Sequence, residues 1–187
     1  ASTFLKWCVQ QDYLPKNPAE GLIPKRREGD SSEARDPFSH DELTALVAAL
    51  AAHEMGPDIR HERFWSPLIA LYNGMRQNEI CQLYCDDVRE VGGVWCFDIN
   101  LNTPDKRVKT PESVRIVPIH SALQRLGFLD YVASLRRCGL PRLWPSLKQG
   151  RDGYARAVSR WFTAFNHEHV VNHPRKVFHS LRHTFIN

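Results

Sequence analysis

The chain has 187 residues, of which 42% are hydrophobic and 25% charged, and its formal net charge is +4. This length and composition are typical of one folded domain with a small appendage, and they exclude a fibrous or wholly disordered chain. No stretch approaches the roughly 18 to 20 apolar residues that span a bilayer, so we expect a cytoplasmic protein that does not enter a membrane.

The cysteines indicate a reducing environment. There are five of them, an odd number, and the close pair Cys81 and Cys85 lies in a stretch with helical spacing. This pattern favours reduced, partly buried thiols over a disulfide framework. A structural zinc site would need a second pair of ligands at matching spacing, so we predict no metal and no other cofactor.

Positive charge is concentrated towards the end of the chain. Residues 1–133 contain 15 basic and 19 acidic side chains, a net charge of −4, whereas residues 134–187 contain 10 and 2, a net charge of +8. A basic surface suits the phosphate backbone of a nucleic acid, although a solvated helix face has the same composition.

The first 38 residues predict an appendage and a linker. Residues 1–23 have the apolar spacing of the end of an amphipathic helix, followed by a turn at Asn17 and Pro18. Residues 24–38 are mostly charged or small, which predicts an exposed linker. Ser39 and Glu42 then form a capping-box pattern, which predicts the start of a helix and of a domain over residues 39–187.

The remaining elements predict a mixed fold. Helical spacing indicates helices at about 61–72, from about 78, over 123–135 and over 155–165, and a helix start over 181–187. Residues 94–99 and 114–119 are rich in β-branched and aromatic side chains, which predicts strands of a small antiparallel sheet. The predicted fold class is therefore α+β and mainly helical.

Residues 71–80, LYNGMRQNEI, place Arg76 after a glycine turn at the start of a predicted helix. Backbone amides at a helix start attract anions, and a guanidinium binds phosphate oxygens through two parallel hydrogen bonds. Glu79, one turn further on, would hold the Arg76 side chain. Taken alone, the segment is more typical of a surface arginine with an ordinary helix ion pair.

Two later segments add groups that transfer protons or neutralise charge. Residues 106–119, KRVKTPESVRIVPI, form a basic loop before a strand, and a lysine on such a loop can donate a proton to a departing oxygen. Alternatively, these basic side chains only keep the loop soluble. Residues 178–185, FHSLRHTF, place His179 and Arg182 three residues apart, suited to proton exchange and to a charged phosphorane. A buried core histidine is the alternative, and we expect it for His183.

In this order, the three segments resemble the signature of the tyrosine recombinases, which include phage integrases. The family patterns are Thr/Asn-Gly-Met/Leu-Arg-x-x-Glu-Ile, a Lys-Thr-x-x-Ser-x-Arg-x-Val-Pro hairpin and His-x-Leu-Arg-His-Thr-Phe. The resemblance implies the family's catalytic-domain fold. It also implies a set of catalytic and DNA-contacting residues, which are as follows: Arg76 and Arg182 clamp the scissile phosphate, Lys109 is the general acid, His179 assists proton transfer, Glu79 supports Arg76, and Lys25, Arg26, Arg27, Lys106, Arg107 and Arg115 contact DNA.

The same resemblance implies a domain organisation. Residues 1–23 would end an N-terminal core-binding domain, residues 24–38 would link it to the catalytic domain, and residues 39–187 would form an incomplete catalytic domain. The family's nucleophilic tyrosine follows the His-x-x-Arg block, whereas all five tyrosines of this chain precede His179. We therefore expect this chain to be an inactive fragment of a longer recombinase; a remnant gene of a mobile element is the alternative.

The expected parent is a bacterial or phage-encoded, nucleoid-associated enzyme that acts as a tetramer on double-stranded DNA. It would cleave and rejoin attachment-type sites through a 3′-phosphotyrosine without a cofactor, and a monomeric state of the fragment is left open. One alternative is a noncatalytic DNA-binding module, and another is a metal-independent phosphodiesterase that uses His179, Lys109 and water.

Overall fold

The computed structural model describes residues 2–21, 35–54 and 60–187. The chain divides into two compact units, Ala1–Ala34 and Arg35–Asn187. In the first unit, helix α1 (Ser2–Gln10) is followed by turns that reach Gly21. Most of the predicted linker, with Lys25, Arg26 and Arg27, falls on residues 22–34, outside the described residues. The assignment of residues 1–23 to a core-binding domain stays a prediction.

The second unit contains further helices and one small sheet. The helices are α2 (His40–Glu54), α3 (His61–Asn73), α4 (Gln77–Cys81), α5 (Ser121–Arg125), α6 (Phe128–Arg137), α7 (Ala155–His169) and α8 (Phe178–Ile186). The strands are β1 (Val88–Val91), β2 (Val94–Ile99) and β3 (Arg115–Pro118), with short 3-10 turns at Cys85–Asp87 and Pro111–Ser113. The mainly helical α+β fold with a small antiparallel sheet is confirmed.

Local sequence signals explain most of the helix ends. The Glu42 N–H donates to Ser39 Oγ at 3.3 Å and the Ser39 N–H donates to Glu42 Oε2 at 2.7 Å, so the predicted capping box forms at the start of α2. Gly127, at φ 87°, separates α5 from α6, so the single helix predicted over 123–135 is wrong. Helix α8 begins at Phe178, three residues earlier than predicted, and therefore includes His179.

The sheet has the order β1-β2-β3, and both strand pairs are antiparallel. The pairing sets Arg89 opposite Cys96 and Phe97 opposite Val117. The sequence analysis missed β1 because its four residues are mostly charged or exposed and carry no alternating apolar pattern. The sheet brings the connection between β2 and β3, residues 100–114, to one edge of the helical body.

The core lies around α3, which is buried over Trp65, Leu68, Ile69 and Ala70. Helix α8 packs against α3, and the indole N–H of Trp144 donates to the Ile80 carbonyl at 2.7 Å and so ties α4 to the core. This packing fixes the ends of α3, α4 and α8 with respect to one another. Within the described part of the chain, no helix combines the length and apolar character that a membrane crossing requires.

Candidate active site

The turn between α3 and α4 places Arg76 at the start of α4. Gly74 ends α3 in the left-handed conformation, at φ 59°, and its N–H donates to the Ala70 carbonyl at 3.1 Å. A Cβ at Gly74 would lie 2.2 Å from the Phe185 ring of α8, so glycine also allows α8 to approach. The predicted glycine turn before Arg76 is therefore required both by its backbone angle and by the packing of α8.

Glu79 binds two arginines at once. Its carboxylate accepts the Arg76 N–H at 2.9 Å and Arg76 Nη1 at 2.8 Å, and it accepts Arg115 Nη2 at 2.9 Å and Nη1 at 3.2 Å. The Glu79 side chain is only 3% exposed. Burial by itself raises the pKa of Glu79, but the hydrogen bonds from Arg115 and Arg76 outweigh it and lower the pKa below its ordinary value.

Arg115, on β3, binds the same carboxylate as Arg76. Its guanidinium binds Glu79 and also donates to the Ser113 carbonyl at 2.8 Å, while Arg76 Nη1 donates to Ser113 Oγ at 3.2 Å. Arg115 thus acts on Arg76 through Glu79. Its side chain is 31% exposed, and the direct DNA contact expected for it stays a prediction. The sequence analysis missed this link because Arg115 and Glu79 are 36 residues apart and meet only when β3 approaches α4.

Arg182 extends from α8 to the same turn, where its Nη1 donates to the Gly74 carbonyl. Burial and the nearby charges of Arg76 and Arg115 lower the pKa of Arg182, and Glu79 opposes this effect. Among the described residues, this cluster combines three guanidinium groups with one carboxylate, which leaves an excess of two positive charges. An anion at this point would relieve the repulsion between the arginines.

His179 lies one turn before Arg182 on α8. His179 is exposed at the surface, but partial desolvation of its ring lowers its pKa, and the neighbouring His183 and Arg182 add to the effect. The His179 imidazole is therefore mostly neutral at pH 7 and able to accept a proton. His183, expected in the core, is instead half-buried, and the ring centroids of the two histidines are 4.9 Å apart.

Lys109 is exposed on the connection between β2 and β3. Together with Arg76, Glu79 and Arg107, it lines an open cavity of about 230 Å³. Arg107 is also exposed, and its Nη1 donates to the Arg151 carbonyl at 3.1 Å. The structure thus brings the predicted general acid and the first predicted clamp arginine to one cavity.

Lys106, the remaining predicted DNA-contacting residue of this connection, is buried. Its Nζ donates to Asp87 Oδ1 at 2.7 Å and to Asn100 Oδ1 at 2.6 Å, and its side chain is 3% exposed. This position corrects the prediction, because a lysine enclosed in an ion pair cannot also reach a DNA phosphate. The sequence pattern could not separate Lys106 from its exposed neighbours.

The described ranges 2–21, 35–54 and 60–187 contain no group of three histidine, cysteine or acidic side chains arranged to hold a metal ion. The guanidinium, ammonium and imidazole groups of the site are of the kinds that bind a phosphate and move protons.

No protein-family model matches the chain. A curated XerC-like tyrosine recombinase of Caldanaerobacter subterraneus subsp. tengcongensis is 29% identical over 138 residues, which are 65% of this chain and 33% of that protein. The chain thus spans about a third of the length of this relative.

Two solved structures are similar at 19% identity. One is XerH site-specific recombinase bound to a difH substrate in a pre-cleavage complex, with a TM-score of 0.53 over 80% of this chain and 41% of that one. The other is the Tn1549 transposon integrase in complex with transposon right end DNA, with a TM-score of 0.56 over 98% of this chain and 62% of that one. The chain therefore has the catalytic-domain fold of the tyrosine recombinases and integrases.

Proposed function

We propose that the full-length protein to which this chain belongs is a site-specific DNA recombinase or integrase. It breaks and rejoins double-stranded DNA at attachment-type sites through a 3′-phosphotyrosine, and it assembles as a tetramer on DNA. The XerC-like relative is about three times as long as the matched region, so we assign the nucleophilic tyrosine to a part of the protein outside residues 1–187.

One observation carries this proposal: Arg76 and Arg182, which are 106 positions apart in the sequence, converge on the Gly74 turn. The convergence leaves an excess of positive charge beside an open cavity, with Lys109 on its wall. Arg182 does not line this cavity, so we place the scissile phosphate between the cavity, with Arg76 and Lys109 on its wall, and Arg182 of α8. There the two guanidinium groups would neutralise the charge that develops on a pentacoordinate phosphorane.

We propose the following cleavage step. The tyrosine oxygen forms a bond to phosphorus while the bond from phosphorus to the 5′ oxygen breaks. The Lys109 ammonium gives a proton to the departing 5′ oxygen, and the neutral His179 imidazole accepts the proton of the tyrosine hydroxyl. Rejoining is the reverse of this step with the 5′ hydroxyl of a partner strand, so no nucleotide or metal is consumed.

The decisive experiment uses the full-length protein and a nicked suicide substrate that carries the element's own attachment-site DNA. We expect a protein band shifted by covalently attached DNA, which disappears when the nucleophilic tyrosine is replaced by phenylalanine. Arg76→Ala and Arg182→Ala should each lower the rate of adduct formation by about 10²-fold or more. Arg89→Ala is the matched control, because Arg89 is an exposed sheet arginine paired with Asp98.

The outcomes separate the candidate functions. If no adduct forms although this chain binds duplex DNA with a steep salt dependence, the noncatalytic DNA-binding module replaces the recombinase. Multiple turnover on small phosphodiesters without an adduct would instead favour the phosphodiesterase. Absence of any salt-dependent DNA binding would contradict the assignment of DNA as the partner.

A further inference from the structure

The connection that carries Lys109 includes Asp105, the centre of a half-buried polar cluster. The Asp105 carboxylate accepts the Tyr154 hydroxyl at 2.6 Å, the Tyr84 hydroxyl at 2.9 Å and Arg142 Nη1 at 2.7 Å. The Arg142 guanidinium also lies over both aromatic rings, 4.7 Å from the Tyr84 centroid and 3.8 Å from that of Tyr154. We call Tyr84, Asp105, Arg142 and Tyr154 the Asp105 cluster.

The next two residues are also held by the body of the domain. Lys106 is enclosed by Asp87 and Asn100, and the Arg107 N–H donates to Gln82 Oε1 at 2.9 Å. Three consecutive residues, 105, 106 and 107, therefore each bind a different group of the domain. A connection that only reached out to DNA would not need these buried contacts.

Lys109 follows two residues later, where the chain turns back to the site. Val108 packs against the core, and Thr110 Oγ1 lies 3.3 Å from Ser113 Oγ. The Ser113 hydroxyl also accepts a hydrogen bond from Arg76 Nη1. Lys109 lies two residues from the anchor at residue 107, a span of at most about 7 Å, and four residues from the anchor at residue 113, a span of at most about 14 Å. Both anchors restrict the positions that the Lys109 backbone reaches, and they thereby limit the region in which its exposed side chain can place the ammonium group.

We propose that the Asp105 cluster is the positioning device for Lys109, and this inference rests on the proposed function. None of its four side chains lines the cavity that Lys109 shares with Arg76, so they act on the reaction through the loop rather than by touching the phosphate. A general acid displaced by about 1 Å loses much of its rate contribution, and hydrogen-bonded anchors define such a position more sharply than apolar contacts.

The charge state of the cluster suits this role. Burial opposes the ionisation of Asp105, but the hydrogen bonds from Tyr154, Tyr84 and Arg142 outweigh it and hold the pKa of the carboxyl well below its usual range. Burial and the hydrogen bond to Asp105 raise the pKa of Tyr154 to about 12. The carboxylate therefore stays an acceptor and the phenol stays a donor across the pH range of a cleavage assay.

The test compares two leaving groups in the full-length protein. In one suicide substrate the bridging atom is the natural 5′ oxygen, and in the other it is a 5′ sulfur, which departs as a thiolate and needs no proton. We expect Asp105→Asn to lower the cleavage rate of the oxygen substrate by roughly 10- to 100-fold. On the sulfur substrate its rate should stay within about threefold of the unaltered protein, and Lys109→Ala should give the same pattern.

Asp98→Asn is the matched control. Asp98 is 18% exposed and paired with Arg89, and Asp105 is 19% exposed and paired with Arg142, but Asp98 makes no contact in the cluster. Asp98→Asn should leave the cleavage rates of both substrates unchanged. Where Asp105→Asn fails to fold, Tyr154→Phe removes a single hydroxyl from the cluster and should show the same selective loss at a smaller size.

The outcomes separate this inference from the proposed function. The positioning role is overturned if Asp105→Asn and Tyr154→Phe slow the cleavage of both substrates equally while the sulfur substrate restores the cleavage rate of Lys109→Ala. The proposal of a recombinase would then still stand. Unchanged rates on both substrates for the cluster variants would overturn the positioning role as well. If Lys109→Ala is neither slowed on oxygen nor rescued on sulfur, the assignment of Lys109 as general acid fails, and the inference fails with it.

Discussion

Replacing Glu79 by glutamine tests whether its buried carboxylate holds the arginine cluster together. Glutamine keeps the shape but provides one acceptor oxygen where the carboxylate accepts four hydrogen bonds, two each from Arg76 and Arg115. Removing one member of a buried ion pair costs about 3–5 kcal/mol. The arginine side chains are 34% and 31% exposed and regain some hydration, so the lower end, about 3 kcal/mol, is expected.

The assay is thermal unfolding of this chain, followed by circular dichroism at pH 7. For a unit of this size, about 3 kcal/mol corresponds to a decrease in Tm of roughly 6–12 °C. Glu90→Gln, at an exposed position of β1, is the control and should change Tm by less than about 2 °C. A similarly small decrease for Glu79→Gln would refute the view that Glu79 organises the cluster.

The stability difference between the unaltered chain and Glu79→Gln depends on pH in a defined way. The folded-state pKa of Glu79 lies below the ordinary value of 4.5 that it has in the unfolded chain, so between these two values the unfolded chain binds a proton that the folded chain does not. The stability from Glu79 is therefore present above pH 4.5 and is lost as pH falls through the folded-state pKa. The difference in unfolding free energy between the unaltered chain and Glu79→Gln should narrow over that acid window and stay constant above it.

Two further comparisons test other parts of the structure. Lys106→Met should lower Tm by roughly 6–20 °C and leave the salt dependence of DNA binding unchanged. Arg107→Gln should make the negative slope of log K against log salt shallower by about 0.9, with little change in Tm. The reverse pattern would contradict the burial of Lys106. Gly153→Ala should destabilise the chain in urea unfolding by about 2 kcal/mol more than Gly139→Ala. Both glycines have positive φ, but a Cβ at Gly153 would lie 2.3 Å from Asn78 Oδ1, whereas a Cβ at Gly139 would meet nothing within 4 Å. Equal losses of unfolding free energy in the two variants would contradict this packing.

Much of the fold could be predicted because its signals are local. The Ser39–Glu42 capping box and the Gly74 turn depend on backbone groups within a few residues, and both lie where the sequence predicts them. The errors in the predicted elements arose where a single residue or the pairing of strands overrode the local apolar pattern. Gly127 divides a continuous apolar pattern into two helices, and β1 forms because β2 supplies hydrogen-bond partners to a strand with little β propensity of its own.

The candidate site was predictable as a set of segments but not as an arrangement. Nothing in a basic run distinguishes the buried Lys106 from the exposed Arg107, because burial depends on Asp87, which lies 19 residues away. The Asp105 cluster was missed for the same reason, since its members come from four separate stretches of the chain.

The sequence by itself determined which chemical groups are present and in what order: a glycine turn with its arginine, a basic loop with its lysine, and a last segment with histidine and arginine three residues apart. Such signals are carried by neighbouring residues, whose geometry the backbone sets. Only the tertiary structure decided that Glu79 bridges Arg76 and Arg115, that Arg182 reaches the Gly74 carbonyl, and that the loop before Lys109 is anchored. These contacts join residues far apart in the chain and form when the packing of α3, α4, α8 and the sheet buries charges that must then find partners.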